Sequence, residues 1–534
     1  MIKMAHFDAP EPLLPDLIDR QSRWLGEKPA MICDDLIWSW QTFGQRLRHC
    51  AARLRGSGVQ PGDRVVVVMD NGPEMLESLF GVIRAGACVV PLNVSVSAEA
   101  MAAMIDDCEA SAVIASASYL DALAPAKHPK VRLWLAVTEA PTRLLEVPWR
   151  DYANWLGAPV DVALQREIEH YQVAPDALCN IIYSSGTTGV PKGITHNHRR
   201  RIDWARSIAL ALRYDSRAIT LCPIGLYSNI SWVSMLSTFV VGGTLVIERR
   251  FEPERVWRAI ETRGISHGSL VPIIVQRLLE SPLFGKTDMR SLRALMCCGS
   301  PLPLPIKQRA LRDFGCAFIE LYGLTEGVIT TLDPEDAEGR EMSVGKPLPG
   351  TDIQLIDEFD HPVKSGETGE IVSRGHITMT GYYRRPAANA ESTWIDSTGA
   401  TWLRTGDIGR FDEQGYLFIV DRKKDMIISG GQNVYPADIE SVAATHPSVA
   451  EIAVIGIKSA KWGETPYAIV VPRNGKVPGE SLAIELREWI NARVGRQQRV
   501  AGVALVDTLP RNPNGKILKR ELRKTHAHLE SHVA

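Results

Sequence analysis

Residues 183–193 read Tyr183-Ser-Ser-Gly-Thr-Thr-Gly-Val-Pro-Lys-Gly193 and follow directly on the apolar run 178–182. A loop that leaves the end of a buried strand stands where open parallel sheets take their ligands. Ser184, Ser185, Thr187 and Thr188 supply hydroxyls, while Gly186, Gly189 and Gly193 let backbone N–H groups approach an anion. Lys192 adds a positive charge, and the whole set suits a polyphosphate. It is not a Walker A loop, which needs Gly, four residues, then Gly-Lys-Ser/Thr. Here four residues after Gly186 lead to Pro191, and Lys192 is followed by Gly193. Without context the same residues also read as a Ser/Thr/Gly surface turn.

The segments on either side set the fold class. Residues 64–69 (RVVVVM) form a β-branched run behind Pro61-Gly62, which predicts a buried strand. Residues 73–84 place Met75, Leu76, Leu79, Phe80 and Ile83 at helical spacing, and residues 86–92 and 112–115 return to strand character. Strand, helix, strand over about 30 residues predicts a right-handed parallel βαβ unit. The alternation resumes at 218–222, 244–247, 268–271 and 294–296, separated by helices such as 254–263. The expected class is α/β, with two α/β layers in one large N-terminal domain. After Gly345, short strands at 350–356, 369–373 and 415–420 predict a β-rich subdomain. The charged knot Asp421-Arg-Lys-Lys-Asp425 then separates two apolar strands, and residues 439–444, 449–457, 468–471 and 481–494 predict a small α+β module. The expected division is 1–421, a hinge at 422–425, and 426–534.

Composition narrows the class. Of 534 residues, 45% are hydrophobic and 23% charged, which excludes collagen, coiled coil and disordered chains. The 60 Lys+Arg nearly balance the 62 Asp+Glu, so no strong field draws nucleic acid or an anionic membrane. Nine scattered cysteines without a Cys-x-x-Cys pair point away from disulfides and zinc and toward a reducing, cytoplasmic compartment. The start of the chain carries Asp8, Glu11, Asp16 and Asp19 rather than a basic start and apolar block, so no signal peptide is expected. Residues 231–247 are the most apolar stretch, but Ser234, Ser237, Gly242 and Gly243 interrupt them. They fall short of the roughly 20 residues of a helical span, so a core segment is expected and membrane insertion is not.

Three further stretches carry chemistry. Leu321-Tyr-Gly-Leu-Thr-Glu-Gly327 sets an aromatic ring beside a glycine turn, then a hydroxyl and a carboxylate. A ring can stack on a base, Thr can bond a phosphate oxygen, and Glu can hold Mg²⁺ through oxygen. Alone, the stretch also reads as a core Tyr and a solvated Glu. Trp402-Leu-Arg-Thr-Gly-Asp-Ile-Gly409 offers Asp407, a carboxylate suited to ribose hydroxyls, with Arg422 a short hairpin downstream; a lone Thr-Gly-Asp is otherwise a turn. Leu509-Pro-Arg-Asn-Pro-Asn-Gly-Lys-Ile517 shapes a tight loop that presents Lys516, which alone reads as a solvated turn residue.

Ser-Ser-Gly-Thr-Thr-Gly-x-Pro-Lys-Gly resembles the phosphate-binding motif of the adenylate-forming superfamily. The other three stretches agree in order and separation. The resemblance covers about Trp38 to about Leu522 and is to the AMP-forming acyl-CoA synthetase branch. It implies that the Ser184–Lys192 loop holds the β and γ phosphates of ATP and that Tyr322, beside Gly323, stacks on adenine. Thr325 would contact the α-phosphate, Glu326 would bind Mg²⁺, and Asp407 with Arg422 would hold the ribose. Lys516, Thr188 and Glu326 become the expected catalytic set. Lys424 becomes the hinge about which a small mobile C-terminal domain swings, bringing Ser429, Gly430, Gly431 and Gln432 to the site for a coenzyme A step.

By the same resemblance the acyl pocket draws on Tyr227, Ser228, Asn229 and Trp232, with Cys297, Cys298, Gly299 and Ser300 forming its far wall and the adenine edge. Where many relatives have an aromatic-His pair, this chain has Tyr227-Ser228-Asn229. Buried Tyr, Asn and Ser demand partners, which points to an aromatic or arylpropenoic acid over a medium-chain one; Tyr227 and Trp232 read equally well as core. The expected activity is ATP-dependent ligation of a small carboxylic acid to CoA. Two alternatives stand: a stand-alone ligase loading a carrier protein, and a non-catalytic nucleotide sensor. Glu320-Leu-Tyr-Gly-Leu-Thr-Glu326 differs from the Asn-x-Tyr-Gly-Pro-Thr-Glu of peptide-synthetase domains, and only 18 residues follow Lys516, so no carrier domain is expected. The oligomeric state stays open, a homo-oligomer included.

Overall fold

The computed structural model describes residues 11–138, 148–183, 191–473, 479–511 and 516–531. The β-branched run forms the strand Arg64–Val68, buried along nearly its whole length. It pairs in parallel with Cys88–Pro91 on one side and Ala112–Ser116 on the other. The helix Pro73–Arg84 makes the first crossover, and its residues are buried almost all round. Continuous apolar runs of this kind suit strands covered on both faces. The eight-stranded sheet ends with Leu178–Tyr183, Gly193–Asn197 and Gly381–Tyr382, the last two joining antiparallel. The loop singled out in the sequence therefore leaves the end of a strand, as expected, and leads into a second strand.

A nine-stranded sheet forms the second layer. Thr244–Ile247, Ile219–Cys222, His267–Leu270, Ala294–Cys297 and Ala317–Gly323 run parallel, and Ile329–Leu332 turns back antiparallel. The apolar stretch 231–247 divides into the buried helix Asn229–Val241, a two-glycine turn and the buried strand Thr244–Ile247. Gly242 takes φ +71°, and a side chain on Gly243 would lie 2.7 Å from the Ala218 carbonyl, so both turn positions require glycine. No helix among the described residues is long and apolar enough to cross a membrane. A continuous core joins both sheets, with Phe239 packed 5.1 Å from Phe80, 5.2 Å from Phe43 and 5.7 Å from Trp40.

The β-rich part is a five-stranded antiparallel sheet of Thr351–Ile356, Thr368–Gly375, Thr393–Ile395, Thr401–Phe411 and Leu417–Arg422. Thr405-Gly406-Asp407, readable as a turn, lies inside its eleven-residue strand Thr401–Phe411. Between the pairs Glu370–Ile408 and Val372–Arg404 that strand carries extra residues, with Gly406 at φ +71°. This bulge re-aims Asp407 without ending the strand. Strands from Ile427 onward build a separate six-stranded sheet dominated by the pair Val449–Ser459 and Gly463–Pro472, covered by Pro436–Ala443 and Glu480–Asn491.

The turn 324–328 backs onto the β-rich part, where the Met379 N–H donates to the Glu326 carbonyl at 2.8 Å. Gly327 sits there at φ +117°, and a Cβ would fall 2.4 Å from the Thr378 Cα. Gly327→Ala should therefore destabilise the fold by about 2 kcal/mol or more, from strain and backbone collision together. Gly339→Ala, at φ +73° with open space around it, should cost only the strain, about 1 kcal/mol. Thermal unfolding of both variants checks this; equal shifts would mean that the 324–328 turn is not held against Thr378.

Candidate active site

The bulged strand and its neighbour bring Asp407 and Arg422 directly opposite each other in register. Asp407 is 3% exposed, and its two oxygens are both used. Oδ1 lies 3.1 Å from Arg422 Nε, and Oδ2 accepts from the Tyr322 hydroxyl at 2.7 Å. Tyr322 reaches it from Ala317–Gly323, the last parallel strand of the nine-stranded sheet, at that strand's C-terminal end. Three segments of sequence singled out separately thus meet at one carboxylate.

Lys516 joins them from the C-terminal domain. It is half-buried, and burial with the nearby Arg422 and Lys424 charges pulls its ammonium down to about 7, while Asp407 and Asp425 act the other way. Lys424 is drawn to about 8, first by desolvation and then by Arg422. Positive charge is crowded here, which favours an arriving anion. The segment 422–425 is fastened on both sides: Lys423 Nζ bonds Glu370 at 2.8 Å, its N–H bonds the Gly406 carbonyl, and Asp425 pairs with Arg523 at 2.9 Å.

Glu326 lies at the other rim. Enclosure raises its carboxyl above the ordinary range, against the pull of the Tyr382 hydroxyl and the Arg422 charge. Tyr382 donates to Glu326 Oε1 at 3.0 Å, and its ring lies 4.9 Å from Lys192 Nζ. The sequence reading missed Tyr382, because its partner strand Gly193–Asn197 is nearly 190 residues away and nothing local marks the pairing. Among the described residues no group of three or more His, Cys, Asp or Glu could form a protein cage for a metal. A single recessed carboxylate fits Mg²⁺, which keeps water and phosphate oxygens as its other ligands.

Ser184, Ser185, Gly186, Thr187, Thr188 and Gly189 lie outside the described residues. Gly323 ends the strand that carries Tyr322, and Thr325 precedes Glu326 in the turn 324–328. Gly299, at φ +100°, and Ser300 follow the strand Ala294–Cys297, with Ile230 and Val271 against the glycine. Tyr227 is half-buried, and Ser228 caps the helix Asn229–Val241 by accepting from the Ile230 N–H. Asn229 is half-buried at the helix start, whereas Trp232 is fully buried against Phe80, and Cys298 is buried. Trp232 thus packs with the core, one of the two readings its sequence allows. Gly430, Gly431 and Gln432 form an exposed hairpin, and Gly430 lies against Trp462 within the C-terminal domain.

Comparison with known proteins supplies the family. Residues 18–383 match the AMP-binding enzyme family and residues 438–516 its C-terminal domain. The chain belongs to the AMP-binding enzyme family. It is 35% identical over 492 residues to feruloyl-CoA synthase of an Amycolatopsis species, covering 91% of this chain and 93% of the relative. It is 31% identical over 508 residues to a fatty acid–[acyl-carrier-protein] ligase of Streptomyces coeruleorubidus, covering 93% of each. The o-succinylbenzoate CoA synthetase of Bacillus subtilis, solved with its acyl-adenylate, superposes with a TM-score of 0.82 at 27% identity, covering 95% of this chain and 98% of that one. Acyl-CoA ligases of the AMP-forming type are thus its relatives.

The electrostatics are directly testable. Under mild amine acylation across neutral pH, Lys516 should label with a midpoint near 7 and Lys424 near 8, ahead of surface lysines. Asp407→Asn should move the Lys516 midpoint lower still, since Asp407 is the larger of the two carboxylate influences that hold it up. Peptide mass spectrometry reads both; a Lys516 that labels like an ordinary lysine would remove it from this cluster.

Proposed function

We propose that this chain is a carboxylate–CoA ligase that works in two steps. In the first, a carboxylate oxygen attacks the α-phosphorus of ATP, a P–O bond breaks, and pyrophosphate leaves as the acyl-adenylate forms. In the second, the CoA thiolate attacks the acyl carbon, a thioester forms, and AMP departs. A free carboxylate cannot expel oxide, so the first step exists to supply a good leaving group. The observation that carries this reading is the meeting of Lys516, from the C-terminal domain, with the Tyr322–Asp407–Arg422 cluster.

The chain's own residues then act mostly by position and charge. Asp407, already accepting from Tyr322 and facing Arg422, would take the ribose hydroxyls. Lys516 would neutralise the α-phosphate and the incoming carboxylate, with Thr325 beside it and Lys192 toward the outer phosphates. Glu326 would hold Mg²⁺, which supplies charge neutralisation when bound. For the second step the C-terminal domain would turn about Lys424, withdrawing Lys516 and presenting Gly430-Gly431. No side-chain nucleophile is required. Similarity to feruloyl-CoA synthase and the polar residues Tyr227 and Asn229 support an aromatic or arylpropenoic acid. Nine free cysteines support a reducing compartment such as the cytoplasm.

With ATP, Mg²⁺ and a panel of acids, the enzyme should release pyrophosphate, and adding CoA should yield AMP and thioester. Adenylate without thioester would favour a carrier-protein acceptor, for which the acyl-carrier-protein ligase relative speaks. No pyrophosphate above background from any acid would leave the sensor reading. Lys516→Ala should lower adenylation by about 10²–10³-fold yet largely spare thioester formation from supplied acyl-adenylate; equal losses in both steps would defeat the swinging-domain assignment. Lys516 must be protonated to neutralise phosphate, and in the free enzyme it loses that proton as pH rises through about 7. The kcat/KM for adenylation should therefore fall on the alkaline side of neutrality, and Lys516→Arg should remove that limb. A limb unchanged in Lys516→Arg would assign it elsewhere.

A further inference from the structure

The helix His198–Ala211 carries Arg201 inward until the residue is 1% exposed. Its Nε donates to Asn180 Oδ1 at 2.6 Å and its Nη2 to Asn229 Oδ1 at 3.1 Å. The guanidinium lies 5.0 Å from the ring centres of both Trp204 and Trp232. Amides and rings solvate this charge without neutralising it. Among the described residues no carboxylate pairs with it, and the one ionisable group that favours its charge is the Cys179 thiol, itself pushed up to about 12 by burial. Burial brings Arg201 down to about 10, so it stays a cation at neutral pH. Arg84, 4% exposed, differs: it pairs with Asp19 at 3.0 Å and donates to the Tyr171 and Ile168 carbonyls.

The surroundings of Arg201 are equally incomplete. Its Nη1, the Asn180 Nδ2 and the Trp232 Nε1 are buried without hydrogen-bond partners among the described residues, as are both ring nitrogens of His196. His196 pairs with Asn180 across the two strands and lies against the Thr325 backbone. Three of these atoms can only donate. A buried cation ringed by idle donors lacks an acceptor with negative charge. The cluster is bounded by Asn229, at the proposed acyl wall, and by Thr325, at the proposed nucleotide turn, and neither chemical step uses Arg201.

We infer that Arg201, with Asn180 and Trp232, is the binding subsite for a second carboxylate on the acyl donor, so that the preferred acid is a dicarboxylate. This rests on the ligase reading above. The ligand oxygen would meet Arg201 Nη1, with Asn229 as the residue between the subsite and the acyl wall.

Acids matched in length test it: cinnamate against carboxycinnamates, and hexanoate against hexanedioate. Pyrophosphate release should favour the diacid in at least one pair. Arg201→Gln should lower that preference about 10–100-fold, mainly through KM, while leaving the monoacid rate largely intact, and Arg201→Lys should retain part of it. Quenching of tryptophan fluorescence by the diacid alone, lost in Arg201→Gln, reads the subsite without turnover. Equal losses for both acids, or a monoacid preference in every pair, would make Arg201 a core cation and overturn the inference. If Arg201→Gln does not fold, Arg201→Lys and Asn229→Ala decide by the same ratio. Saturable, Arg201-dependent quenching without pyrophosphate from any acid would sink the ligase reading and keep the subsite; neither signal would sink both.

Discussion

Asp407 ties the cleft together. Its two oxygens are committed to Tyr322 and Arg422, and it is the anion that tempers the crowding of Arg422, Lys424 and Lys516. A carboxylate this buried is tolerable only when paired, and a set of cations this close is tolerable only with a carboxylate among them. The two requirements satisfy each other. They also leave the cluster electropositive, because Asp407 is shared among several cations and Asp425 is engaged by Arg523. A polyanionic nucleotide is the natural complement to that surplus.

The position of Asp407 is a backbone achievement. A regular strand would alternate Thr405, Gly406 and Asp407 across its two faces. The bulge, with Gly406 in a left-handed conformation, adds residues on one strand and turns the carboxylate toward both Tyr322 and Arg422. This explains why Thr-Gly-Asp is ambiguous as sequence. The local signals of a turn are real, yet the flanking apolar residues Trp402, Leu403 and Ile408 keep the chain in the sheet.

Much of the fold was legible because it depends on short, strongly patterned runs. Residues 73–84 show helical spacing and form the helix Pro73–Arg84; residues 64–69 form a strand one residue shorter. The site was legible where residue type and spacing are both unusual, as at Tyr322, Asp407 and Arg422. It was illegible where a role comes from distant pairing. Tyr382 enters through a two-residue strand beside Gly193–Asn197, and in the Arg199-Arg200-Arg201 run nothing local marks Arg201 as the one that turns inward. Trp232 was ambiguous for the same reason: a buried aromatic beside a suspected pocket reads alike as wall or core, and burial is what the structure adds.

The lowered proton affinity of Lys516 bears on the proposed domain movement. A lysine that titrates near neutrality is partly uncharged in the free enzyme, so crowding it against Arg422 and Lys424 carries less repulsion than a fixed charge would. When a triphosphate arrives, its negative charge raises the lysine's affinity for a proton, and by linkage some of the binding free energy goes into proton uptake. Once pyrophosphate has left, that negative charge would be reduced and the lysine would return toward its neutral form. In the proposed cycle its hold on the nucleotide would weaken at the stage when the C-terminal domain turns away. Arginine in the same place would stay charged throughout and grip the product as firmly as the substrate. A residue that must bind in one step and depart before the next is better served by a group whose charge follows the phosphate's.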